Sequence, residues 1–188
     1  DNPTAMTLDA TTRQSIAQAA RANDLMVIED DVYGALSATR SVPLAALAPE
    51  RTWYVASVSK IISPALRVAY VRAPDIGSAL RLAADVHETA IMAPPLNAAV
   101  VQTWLDDGRY DRLVDAMRNE AMRRQAVAAH ILEGLPYRAH AQGYHLWLPL
   151  PAGLDGAELA DAMRPSGLSV VAGDRSRRVR REQDRPRS

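Results

Sequence analysis

The chain has 188 residues, 48% of them apolar, with 22 basic and 22 acidic side chains, a formal net charge of zero and no cysteine. That balance reads as a globular chain, one ordinary domain or two small ones, and not as a disordered polyelectrolyte. It also excludes a disulfide framework and a thiolate metal site, which fits a reducing cytoplasm. No uninterrupted apolar stretch is long enough to span a bilayer, and no charged-then-apolar signal segment opens the chain.

The first predicted element is a helix over about 9–23, with Leu8, Ile16, Ala17 and Ala20 at helical spacing and Thr7 or Asp9 as its cap. "DLMVIEDD" follows as a short apolar run with acids at its carboxyl end. "WYVAS" is a second such run, and "RVAYVRAP" a third, stopped by Pro74. Apolar runs of this length, separated by helix or loop, predict a parallel sheet buried on both faces. Helical patterns resume at about 75–90 and 96–107. The longest helix runs from about Tyr110 to Glu133, where Tyr110, Leu113, Val114, Met117, Ala121, Ala128, Ile131 and Leu132 form one stripe and Gly134 and Pro136 end it. Beyond it, "YHLWLPLP" reads as a strand, 155–164 as a helix and "GLSVV" as a strand, together a smaller α+β unit. The fold class is therefore α/β, and no internal repeat is present.

Residues 175–188 break the pattern, with seven arginines and one apolar residue. The composition is that of a disordered end or a polyanion-binding arm, and it predicts no packed structure.

Lys60 is the only lysine; the other cationic side chains, 21 of the 22, are arginines. It follows an apolar run, stands beside Ser59, and is followed seven residues later by Arg67. A lysine amine can lose its proton and act as a nucleophile, which an arginine in a protein cannot. Ligands of α/β sheets gather at the carboxyl ends of strands. Three polar groups fall there or nearby: Asp30, Asp31 and Tyr33; Ser57, Ser59 and Lys60; and Asn2 ahead of the first helix. This is the donor set that pyridoxal 5'-phosphate requires: a Schiff-base lysine, an acid against the pyridine nitrogen, donors to the phenolic oxygen and a phosphate cradle. One of Asp30 and Asp31 can point into such a site, since strand geometry sends its neighbour the other way. Tyr33 and Asn2 can serve the phenolic oxygen, and Ser57, Ser59 and Arg67 the phosphate.

"NPTAM", "VIEDDVYG" and "YVASVSKIISPALRVAYVRAP" resemble, in order, the signatures of fold-type I, class I/II aminotransferases. "EDDVYG", "WLDDGRYDRLVDAMRNEAMRRQ" and "GYHLWLPLPAGLDGAELADAM" are most similar to the aminotransferase-like portion of MocR-type regulators and their free-standing relatives. The resemblance runs from Asn2 to about Asp174. It implies a partial PLP-dependent transferase fold, with 1–108 as the C-terminal part of the large cofactor-binding domain and 109–174 as a linking helix and small domain. It further implies that Lys60 is the aldimine lysine and Asp30, three residues before Tyr33, the acid on the pyridine nitrogen. Tyr33 and Asn2 would be the phenolic-oxygen partners, and Ser57, Ser59 and Arg67 the phosphate ligands. Amino acids and 2-oxo acids are the implied substrates, and a homodimer the implied full-length assembly. Ala65 and Ala69 stand where the family usually has glycines, a change that is harmless if φ stays negative.

The same resemblance makes the chain an internal piece of the fold. The family's amino-terminal half, with its Gly/Ser-rich phosphate turn and stacking aromatic, is not matched, nor is its arginine for the substrate carboxylate or the winged helix of a MocR regulator. An open sheet edge and an exposed apolar face are then expected, with a tendency to aggregate. The two functional readings are amino-group transfer and effector sensing by a transcriptional regulator that binds the same cofactor; a non-functional remnant is a third.

The remaining polar residues read as structural. His87, His130, His140 and His145 lack metal-ligand spacing. Asp106 and Asp107 before Gly108 read as helix termination, Trp53, Trp104 and Trp147 as core, and "RNEAMRRQ" as a solvated helix face.

Overall fold

The computed structural model describes residues 4–39 and 41–173. Asn2 and the arginine-rich segment 175–188 lie outside the described residues. Helix α1 (Ala10–Ala22) starts where the Asp9 carboxylate accepts the Thr12 amide, satisfying one of the amides that a helix start leaves free. Ala17 and Ala20 are buried, and Ala17 packs with Leu44 and Ala48. Leu8 falls before the helix and is exposed, so it does not join the stripe expected of it.

Strand β1 (Val27–Asp30) pairs in parallel with β2 (Thr52–Ser57), and Asp30 lies opposite Val55. The connection between them carries the short helix α2 (Leu44–Leu47). Strand β3 (Ala69–Arg72) pairs with β2 antiparallel, giving the order β1-β2-β3. The expected all-parallel sheet is thus mixed. A parallel return needs a crossover of about a dozen residues or more, usually a helix. The connection 58–68 contains only turns and the single 3-10 turn Pro64–Leu66, with no crossover helix, so the chain comes back beside β2 in the opposite sense.

Nor is the sheet buried on both faces among the described residues. One face is covered where Glu29, 8% exposed, bonds Arg13 of α1 and the Ala45 amide of α2. On β1 the alternation turns Ile28, 75% exposed, and Asp30 the other way, and β3 is exposed along its length.

Helices α3 (Ile76–Ala90), α4 (Pro95–Asp106) and α5 (Arg109–Ile131) fall within two residues of the expected bounds. On α5 Val114 and Ala121 are buried as the stripe requires, whereas Ile131 at its end is 72% exposed. Val114 joins Ala35, Leu36 and Ile61 in one apolar cluster, against which Tyr33, Tyr110 and Met117 pack. The small unit has a two-stranded antiparallel ladder, β4 (Arg138–Ala139) with β5 (Leu146–Trp147), and helix α6 (Gly156–Met163). "YHLWLPLP" is a strand only at Leu146–Trp147. "GLSVV" is in no ladder among the described residues. Trp53, Trp104 and Trp147 are half-buried and not core.

Candidate active site

A cleft of about 410 Å³ opens at the carboxyl end of β1 and β2, lined by Asp30, Ser57, Ser59 and Arg67 with the apolar side chains Ile28, Val32, Val55, Val68 and Ala69. Strand alternation puts Ile28 and Asp30 on this face of β1, and register carries the face across to Val55 and Ser57 on β2. Asp31 points elsewhere: its carboxylate accepts the Tyr54 hydroxyl at 2.6 Å. Of the two adjacent acids only Asp30 lines this cleft.

The opposite wall is built by the turns after β2. The Ser57 hydroxyl donates to the Val68 carbonyl at 3.2 Å and accepts the Ser59 amide at 3.1 Å, closing the loop on itself. Val58 and Val68 are buried with Val101 of α4, and Asn97 of the same helix donates to the Leu66 carbonyl at 2.9 Å. These contacts hold Arg67 in a left-handed conformation, φ 53° and ψ 34°. A non-glycine residue pays roughly 1–2 kcal/mol for that geometry, and such strain clusters at functional sites. Neither Ala65 nor Ala69 has positive φ, so their methyl groups are tolerated and the strain falls on Arg67.

Lys60 is not among the residues lining this cleft. It lies on a helical turn closed by the Ile62 amide on the Val58 carbonyl at 2.8 Å. That turn buries Val58 and Ile61 and leaves Lys60 exposed. Tyr33 lines a neighbouring cleft of about 600 Å³, which shares Asp30 with the first. Burial raises the Tyr33 phenol above its ordinary pKa, and the nearby Asp30 carboxylate pushes it the same way. The structure thus brings together Asp30, Ser57, Ser59 and Arg67, sets Tyr33 beside Asp30, and leaves Lys60 one residue from the cleft wall.

Sequence reasoning missed the second cleft's far wall. The His145 ring meets Tyr33 edge-on at 5.2 Å and 85°, and Tyr144 does so at 6.3 Å and 72°. Burial lowers the His145 pKa, and the Lys60 ammonium acts in the same direction. Reading His145 as merely structural overlooked this contact, and no local pattern announces a pairing across more than a hundred residues. Arg118 of α5 departs from the solvated face that its stretch of sequence predicts: it donates to the Ala35 and Leu36 carbonyls, each at 2.9 Å. Among the described residues no three His, Asp or Glu side chains come together as a metal site, and no helix is long and apolar enough to cross a membrane.

A family model described as "Aminotransferase class I and II" matches residues 1–179. The chain is 28% identical over 179 residues to the uncharacterized HTH-type transcriptional regulator YdeF of Bacillus subtilis, covering 93% of this chain and 37% of that protein. It is 30% identical over 186 residues to the 2-aminoadipate transaminase of Thermus thermophilus, covering 92% of this chain and 46% of that enzyme. Among solved structures, the α-aminoadipate aminotransferase LysN of Thermus thermophilus, complexed with N-(5'-phosphopyridoxyl)-L-leucine, superposes with a TM-score of 0.77 at 27% identity, over 90% of this chain and 46% of that one. The chain therefore spans less than half the length of these relatives.

Proposed function

This chain belongs to the aminotransferase class I and II family, and we propose that its cleft at Asp30, Ser57, Ser59 and Arg67 holds pyridoxal 5'-phosphate for amino-group transfer from an amino acid to a 2-oxo acid. The observation that carries this reading is the composition of one cleft. A carboxylate stands on one strand, Ser57 ends the next, and Ser59 with a strained arginine stands on the turns after it. A phosphorylated pyridine needs an anion at its ring nitrogen and cations or hydroxyls at its phosphate, so the donor set fits.

When bound, the cofactor supplies an electron-accepting ring that stabilises the charge left on a substrate's α-carbon after proton loss. Asp30 would hold the pyridine nitrogen protonated through its negative charge. Arg67 and Ser59 would hold the phosphate; Ser57, whose hydroxyl proton goes to the Val68 carbonyl, shapes the loop that carries Ser59 and would join them on releasing that bond. Tyr33 and Asn2 would be the donors to the phenolic oxygen. Lys60 Nζ would be the covalent anchor of the cofactor and, when free, the general base and acid for the α-proton. The domain division at about residue 108, the cytoplasmic location and the full-length homodimer belong to the same reading.

A second reading, the effector-binding domain of a MocR-type regulator, is supported by the similarity to YdeF over 93% of this chain. Both readings use the same residues and differ in turnover.

Borohydride reduction after mixing with pyridoxal 5'-phosphate tests the site. With one lysine in the chain, peptide mapping should place the reduced adduct at Lys60. Lys60→Ala should abolish it, and an adduct that persists elsewhere overturns the assignment. Supplying an amino acid and a 2-oxo acid then separates transfer from binding alone. Failure of the wild type to bind identifies an inactive remnant.

A further inference from the structure

We infer that His145 is a positioning residue for Tyr33: its ring, carried in by the small unit, holds the orientation of the phenol beside Asp30. The inference rests on the proposed cofactor site for its consequence, but its geometry stands alone. Tyr33 packs against the cluster of Ala35, Leu36, Ile61 and Val114, and its ring is met edge-on by His145 at 5.2 Å and 85°. A perpendicular arrangement sets the positive edge of one ring against the negative face of the other, the preferred geometry of an aromatic pair.

The segment that presents His145 is tied down on three sides. Gln125 of α5 donates to the Gly143 carbonyl at 2.7 Å. The Ala38 amide donates to the Gln142 side-chain oxygen at 2.8 Å. The Gly143 amide closes the turn on the His140 carbonyl at 2.8 Å. Arg118, on the same helix as Gln125, holds the Ala35 and Leu36 carbonyls just past Tyr33. Helix α5 therefore grips both the Tyr33 loop and the His145 segment, and the contact between the rings is held from both ends.

The charged and titratable groups that act on the pair are the N-terminal ammonium and Lys60 on His145, with Asp30 and Tyr144 beside Tyr33. Burial together with the Lys60 charge favours the neutral imidazole, so at neutral pH His145 meets the phenol as an uncharged ring. A histidine here, unlike a phenylalanine, also makes the Tyr33 environment sensitive to acid.

The test combines carbon-13 labelling of tyrosine rings with pyridoxal 5'-phosphate titration, the Tyr33 resonance being assigned by its loss in Tyr33→Phe. In the cofactor-free protein that resonance should shift with a midpoint below the ordinary histidine pKa, and the inflection should vanish in His145→Phe. His145→Ala should move the resonance at every pH and weaken cofactor binding roughly threefold to tenfold, the factor an aromatic pair corresponds to. His145→Phe, which keeps a flat ring in place, should restore the affinity. An unchanged Tyr33 resonance in His145→Ala, or a His145→Phe protein as weak as His145→Ala, overturns the inference. If the wild type takes up no pyridoxal 5'-phosphate, the cofactor reading falls, and the Tyr33 resonance still decides whether His145 positions the ring.

Discussion

The Tyr54 hydroxyl donates to the Asp31 carboxylate at 2.6 Å, while Asp30, one residue earlier, lines the cleft with Arg67. Two chemically identical neighbours are thereby given different work. Asp31→Asn should destabilise the fold by about 1 kcal/mol, because a half-buried hydroxyl exchanges a charged acceptor for a neutral one, and should barely change cofactor affinity. Asp30→Asn should leave the unfolding curve unchanged and weaken pyridoxal 5'-phosphate binding roughly tenfold or more. Urea denaturation and cofactor titration of both variants check this; equal effects on binding would mean that the wrong acid is assigned.

Arg67 separates stability from binding in a single substitution. Its backbone is left-handed, so Arg67→Gly should gain about 0.5–1 kcal/mol of stability once the greater freedom of glycine in the unfolded chain is deducted. It should also lose affinity for phosphate. Arg67→Ala should lose the affinity without the gain. Denaturation midpoints and titration with inorganic phosphate distinguish the two variants.

Glu29 accepts from Arg13 and from the Ala45 amide, and so fastens α1 and α2 to β1. Both members of the ion pair are largely buried. Glu29→Gln should cost about 3–5 kcal/mol, as removing one partner leaves the guanidinium buried and unpaired. A double variant, Arg13→Met with Glu29→Leu, should cost less than the single one, read by chemical denaturation.

His145 makes stability depend on pH in a defined direction. Its folded pKa lies below the unfolded value because burial and the Lys60 charge disfavour the imidazolium. The unfolded chain therefore binds the proton more readily, and stability falls as pH drops below about 6.5, the unperturbed histidine value. In His145→Phe this component is absent. The difference in melting temperature between the two proteins should change across that window and stay constant above it.

The exposed edge formed by β3 is an association hazard. Tyr70 and Val71 are exposed, and β3 has only β2 as a neighbour among the described residues. Strands of this kind pair with other chains unless a charge interrupts them. The protein should associate with rising concentration, and Val71→Lys should reduce that association in sedimentation velocity without lowering thermal stability.

Helix positions were legible because each amphipathic pattern is written within a dozen contiguous residues: α3, α4 and α5 fall within two residues of their expected bounds. Strand direction was not. An apolar run such as "RVAYVRAP" reads the same in either sense, and only the turn-filled connection 58–68 sends β3 antiparallel. "GLSVV" has a strand's composition, yet forming one requires a hydrogen-bonding neighbour, which composition does not supply. In the site, Asp30, Ser57, Ser59 and Arg67 lie at the ends of readable strands. Lys60 was readable as chemistry, but its exposed place on the turn was not.

The sequence by itself determined the chemistry on offer: a single lysine, adjacent acids, a serine-rich turn and an arginine, each within a short motif whose spacing survives in any fold that keeps its strands. Tertiary structure decided which of these groups share a cleft, which acid is diverted to Tyr54, and that His145 lies against Tyr33. The physical reason is separation along the chain. Local periodicity sets the direction of a side chain within its own element, whereas the meeting of residues 33 and 145 depends on α5 folding back to grip both loops.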